Sequence, residues 1–111
     1  MTDATPNAAV TAAAVPTDAV LLDVREDDEW AAGHAPGAVH LAMSGIQARI
    51  DELPDAPVLH VICRAGGRSA QVTEWLNQQG RTAINVQGGM QEWARSGREM
   101  VSETAAAPRV L

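Results

Sequence analysis

Val58-Leu59-His60-Val61-Ile62-Cys63-Arg64-Ala65-Gly66-Gly67-Arg68-Ser69 is the stretch that decides the fold. Its first five residues form an almost continuous apolar run. Such a run suits a strand covered on both faces of a parallel sheet. Beyond the two glycines, Val72, Trp75 and Leu76 recur at helical spacing, with Ser69 as N-cap and Gly80 as stop, so the pattern predicts a helix over 69–79. The loop between them lies at the C-terminal end of a strand, where α/β folds bind ligands. It also lies at a helix N-terminus, where free N–H groups and the dipole favour anions. Gly66 and Gly67 let the backbone curl so that successive N–H groups point inward as a nest.

Cys63 opens that nest. Its thiol is expected to titrate low, because N–H groups and the nearby Arg64 and Arg68 favour the thiolate. A thiolate is a nucleophile, and the same electropositive cradle attracts an anionic substrate. A lone cysteine is more often a small buried hydrophobe. Two arginines and two glycines in one short loop outweigh that reading here.

Outward from this segment, strands and helices alternate. Short apolar runs at 20–24, 38–41 and 83–86 read as strands. Glu26-Asp27-Asp28-Glu29 puts acid at a helix start, and Gly33 can end that helix. A further helix is expected over 44–53, with Ile46, Ile50 and Leu53 at helical spacing, and a short one over 90–95 after Gly88-Gly89. This order implies an α/β domain with a mainly parallel sheet. At 111 residues the chain is one domain, large enough to bury a core without staples. The domain is placed at 15–98. The Ala-rich ends, 1–14 and 99–111, are expected to be loosely ordered, with at most a stub strand over 8–10 and one helical turn over 12–15.

Composition removes several function classes. A formal charge of −6 argues against nucleic acid or an anionic membrane as partner. No stretch approaches the ~20 apolar residues of a membrane span. The single cysteine excludes an internal disulfide and a multi-cysteine zinc site. All 8 basic residues are arginine, which excludes Schiff-base chemistry and a lysine phosphate clamp. His34, His40 and His60 match no metal-ligand spacing, and no nucleotide-binding glycine signature is present, so neither metal nor cofactor is expected. Trp30, Trp75 and Trp93 read as core. The start of the chain has no basic, apolar secretory pattern; with the free thiol, this points to the cytoplasm.

Four motifs in order resemble those of the single-domain rhodaneses, the thiosulfate sulfurtransferase-like family. They are Leu21-Leu22-Asp23-Val24-Arg25-Glu26 with Trp30 beyond it, Gly33-His34-Ala35-Pro36-Gly37-Ala38, the loop from Cys63 to Ser69, and Gly88-Gly89-Met90-Gln91-Glu92-Trp93. The resemblance spans roughly residues 18–96. It implies a three-layer domain, with a five-stranded, mainly parallel sheet and helices on both faces. It implies that Cys63 takes a sulfur from an anionic donor such as thiosulfate and holds it as a persulfide. A thiol or cyanide then removes that sulfur. The N–H groups of Arg64, Ala65, Gly66, Gly67, Arg68 and Ser69 would hold the terminal persulfide sulfur. Related phosphatases and arsenate reductases have a loop one residue longer, fitted to a tetrahedral group. The four residues between Cys63 and Arg68 suit a single sulfur atom.

Other roles stay open on the residues alone. One alternative is a sulfur-relay module, in which Cys63 accepts sulfur from a protein carrier and passes it on; a thiol phosphatase is a third. Arg64 is assigned to face substrate and Arg68 to brace the loop, unless one of them turns outward or pairs with an acid. Arg25 is expected in an ion pair that holds the strand-to-helix turn, with Asp23 in a supporting role near the pocket. A Cys63–His34–Asp23 triad is the lesser reading of His34, which more often bonds within its own turn. The chain departs from the family pattern in its short N-terminal region, in Ala35 where a branched residue is usual, and in having no Tyr or Phe.

Overall fold

The apolar runs become strands of one sheet. The computed structural model describes residues 8–111. Strands β1 (Ala9–Thr11), β2 (Val20–Asp23), β3 (Val39–His40), β4 (Leu59–Ile62) and β5 (Ala83–Gln87) pair in the order β1-β5-β4-β2-β3, all parallel. β4 lies at the centre, and every residue in it is buried. Its two flanks are β2 and β5, which is why these three strands carry the longest apolar runs.

Side chains alternate across the sheet and make two cores. On one face Leu22, Val24, Leu59, Val61 and Cys63 pack with Val72 and Leu76 of helix α2 (Gly67–Gln78). On the other, Leu21, Ile62 and Val86 pack with Met90 and Trp93 of helix α3 (Gly89–Arg95) and with Ala12 and Val15. The domain is therefore three-layered. Helix α1 (Asp27–Ala32) buries no residue and sits after β2. It is held by a capping box in which Glu26 and Glu29 each accept the other's backbone N–H.

Several elements differ from the sequence reading. Helix α2 begins at Gly67 rather than Ser69, because Gly66 takes the N-cap position in left-handed backbone and frees Ser69 to face inward. The helix expected over 44–53 is a kinked 3₁₀ segment, Gln47–Glu52, broken at Arg49. Gly33 does end α1, but with extended backbone (φ 171°). Its lack of a side chain serves packing, since a Cβ there would lie 2.5 Å from the Arg109 carbonyl oxygen.

That contact comes from the C-terminal segment, which was expected to be loosely ordered. Residues 99–111 form no helix or strand, yet they are tied down along their length. Val101 pairs with His34 through two backbone hydrogen bonds of 2.9 Å, Glu103 N–H donates to Ala31 O, and Arg109 N–H donates to Ala32 O. Met100 and Val110 pack on the second core. At the other end, β1 and the 3₁₀ turn Ala12–Ala14 match the stub strand and single turn, but Ala12 is fully buried and locked in. Residues 1–7 of the expected loose end lie outside the described residues. No described helix is long and apolar enough to cross a membrane.

Candidate active site

Cys63 leaves the end of β4 and its side chain turns back under the N-terminus of α2. The residue is 1% exposed. Gly66 has φ 113°, a left-handed conformation that residues with a Cβ rarely adopt. This turn brings the Gly66 N–H onto Cys63 Sγ at 3.1 Å. The Ser69 hydroxyl donates to the same sulfur at 3.2 Å. Burial pushes the thiol up, but the Ser69 hydroxyl and the N–H groups of Ser69, Gly66 and Ala65 outweigh it and hold the thiol below its ordinary value. The expected nest is thus present around the sulfur.

The loop's carbonyl groups point the other way and are satisfied from behind. Met90 N–H donates to Cys63 O at 2.8 Å and Gln91 N–H to Arg64 O at 3.0 Å, both from the first turn of α3. Asn85 Nδ2 reaches Gly66 O at 3.3 Å. Gly88 and Gly89 have φ of 81° and 56°, left-handed backbone that favours glycine. Gly89 has a second duty, because a Cβ there would overlap the Cys63 carbonyl oxygen and lie 2.6 Å from Arg64 C and O. Backbone carbonyls bound behind and N–H groups turned toward the sulfur in front give the loop its polarity.

The two loop arginines part company. Arg68 makes a paired fork with Glu29 of α1, at 2.7 and 2.8 Å. Arg68 holds the Glu29 carboxyl down to about 2, opposed by burial and assisted by the Glu26 N–H. Arg64 is exposed; its Nε donates to Leu111 O, and its terminal nitrogens lie 2.9 and 3.1 Å from the side-chain oxygen of Gln91. The sequence reading shared the lowering of the Cys63 pKa between the loop N–H groups and the two arginines; in the structure it falls to the Ser69 hydroxyl and the loop N–H groups.

Asp23 and Arg25 form a fully buried pair, Nε to Oδ1 at 2.9 Å and a terminal nitrogen to Oδ2 at 2.7 Å. The same terminal nitrogen donates to Gly33 O at 2.8 Å, tying the end of β2 to the end of α1. Both carboxylate oxygens of Asp23 are taken by Arg25. His34 does not join Cys63. Its ring bonds Ala35 O at 3.0 Å and Glu103 Oε2 at 2.7 Å, and stacks on Trp30 at 3.5 Å. Trp30 stacks on His40 as well, and Trp93 is buried with its indole N–H on Glu99 O. Sequence reasoning missed Glu29 as the partner of Arg68. The only signal was an acidic first turn, which the helix dipole explained by itself.

A family model for the rhodanese-like domain matches residues 8–96. The YtwF protein of Bacillus subtilis is 44% identical over 73 residues, covering 66% of this chain and 71% of that one. A protein of Allochromatium vinosum named sulfurtransferase is 38% identical over 86 residues, 77% of this chain and 80% of that one. The crystal structure of a rhodanese-related protein from Thermoplasma volcanium superposes with a TM-score of 0.79 at 30% identity, covering 85% of this chain and 97% of that chain.

Proposed function

The chain belongs to the rhodanese-like domain family, and from that premise we propose that it is a sulfurtransferase working through a persulfide on Cys63. The observation that carries this reading is the sulfur of Cys63, buried under N–H and O–H donors from Gly66 and Ser69, with no acid or base among the described residues hydrogen-bonded to it. Sulfur transfer between thiolates needs no strong base. It needs a stabilised sulfur anion.

The Cys63 thiolate attacks the outer sulfur of thiosulfate. A bond forms from Sγ to that sulfur, the sulfur–sulfur bond of the donor breaks, and its electron pair leaves on sulfite. The new terminal sulfur carries the negative charge. The N–H groups of Ala65, Gly66 and Ser69, already directed at Sγ, would stabilise that charge as it develops, which is how a preorganised anion hole lowers a barrier. In the second step an acceptor thiolate or cyanide attacks the terminal sulfur, and the electron pair returns to Sγ. The four residues between Cys63 and Arg68 favour one sulfur over a tetrahedral phosphoryl group. Asp23 and Arg25 act as scaffold. The reading involves no cofactor, metal, nucleic acid or membrane. A buried lone thiol suits a reducing compartment such as the cytoplasm.

The reading is tested by following sulfite release and thiocyanate formation from thiosulfate and cyanide. The wild-type chain is expected to turn over both and Cys63→Ser neither. Transfer only from a protein persulfide would favour the relay; turnover of a phosphate ester would overturn sulfur transfer.

A further inference from the structure

A cleft of about 230 Å³ opens between the first half of α2 and the segment after β3, lined by Met43, Ile46, Gln47, Gln71, Val72 and Trp75. We infer that this cleft is the acceptor subsite, and that it holds the uncharged, amide-bearing body of an organic thiol whose sulfur meets Cys63. The inference rests on the persulfide reading and adds the chemical class of the acceptor.

Three observations place the cleft at the same end of the sheet as the sulfur. Val72 follows Ser69 on α2 by three residues, less than one turn of ~5.4 Å along the helix, and Ser69 is itself bonded to Sγ. Met43 sits at the same sheet end, since its N–H donates to Val24 O and the Val24 N–H donates to Ile62 O, the residue before Cys63. Met43, Val72 and Trp75 also belong with Cys63 to one apolar cluster. The cleft therefore lies between α2 and the segment after β3, at the sheet end that carries the loop.

Its lining sets the ligand's chemistry. Four members are apolar and two are primary amides, and no charged side chain lines it. A carboxylate or ammonium group placed there would lose water and gain no counter-charge, which disfavours it. A ligand amide finds both donors and acceptors in Gln47 and Gln71. The site thus divides its tasks: the loop takes the small anionic donor and the cleft takes the neutral organic acceptor. The acceptor thiolate attacks the terminal persulfide sulfur, its bond to Sγ breaks, the electron pair stays on Sγ, and the acceptor leaves as its own persulfide.

Pantetheine, glutathione and cyanide, offered to the persulfide form, test the proposal. Pantetheine is expected to discharge the persulfide with a kcat/KM at least tenfold above that of the charged glutathione. Gln71→Trp, which fills the cleft from an exposed position, is expected to raise the KM for pantetheine about tenfold. S-methylpantetheine, which cannot react, should shift the indole resonance of Trp75 saturably and leave that of buried Trp93 in place. Equal use of pantetheine and glutathione, or no saturable Trp75 shift, would overturn the subsite. If neither thiosulfate nor a protein persulfide loads sulfur on Cys63, the persulfide reading fails, and the S-methylpantetheine titration still decides the cleft.

Discussion

Arg68 closes the Cys63 loop with both terminal nitrogens on the carboxylate of Glu29 at 2.7 and 2.8 Å. A paired fork of this kind fixes direction as well as distance. Glu29 is itself fixed by the capping box of α1. The start of one helix is therefore clamped to the start of another, and the loop between β4 and α2 cannot swing open without breaking the clamp.

Removing the clamp should show as acid behaviour. The Glu29 carboxyl is held at about 2 in the folded chain, below its ordinary value near 4.5. A depressed carboxylate contributes stability that is complete above the ordinary value and lost as pH falls toward the folded one. Between about pH 4.5 and 2 the wild-type chain should therefore lose stability more steeply than Glu29→Gln, as read by thermal unfolding across that range. Identical pH slopes would show that the pair adds nothing.

The thiol has its own titration. The rate of Cys63 alkylation against pH should give a midpoint below the ~8.5 of free cysteine, because the hydrogen-bond donors outweigh burial. Ser69→Ala should move the midpoint up and slow alkylation at neutral pH about tenfold, the worth of one hydrogen bond to a charged group. A midpoint at or above the free value in the wild-type chain would remove the basis for a poised thiolate.

Gly89→Ala tests the support behind the loop. The added Cβ meets the Cys63 and Arg64 backbone and sits on left-handed backbone at φ 56°. Strain of both kinds should cost about 2–4 kcal/mol and lower the unfolding midpoint. Gly67→Ala, where nothing lies within 4 Å, should cost far less. Equal midpoints for the two variants would show that α3 does not press on the loop.

Asp23→Ala leaves the fully buried Arg25 without its counter-charge. Breaking one side of such a pair typically costs about 3–5 kcal/mol. Asp23→Leu combined with Arg25→Met should be milder than the single variant, measured by denaturant unfolding. A single variant close to wild type would show that Arg25 has another partner in reach.

The sequence was most legible where burial dictates residue type. Runs such as Leu59-His60-Val61-Ile62 could only be central strands, and the glycines of the loop announced its left-handed turn. It was least legible where contacts join distant segments. Glu29 reads as a dipole partner until Arg68 is brought to it across 39 residues. Residues 102–111 have no helical or strand period, yet Glu103 reaches His34 and Arg109 packs on Gly33. Amphipathic spacing alone also misread 44–53, because Ile46, Ile50 and Leu53 are served equally well by a 3₁₀ segment kinked at Arg49.

The most direct test is the intact mass of the chain after incubation with thiosulfate, before and after cyanide. The account predicts one added sulfur, about 32 Da, removed by cyanide and absent from Cys63→Ser, as expected for thiolate attack on a sulfane sulfur. An unchanged mass, or an added sulfur that persists in Cys63→Ser, would contradict it.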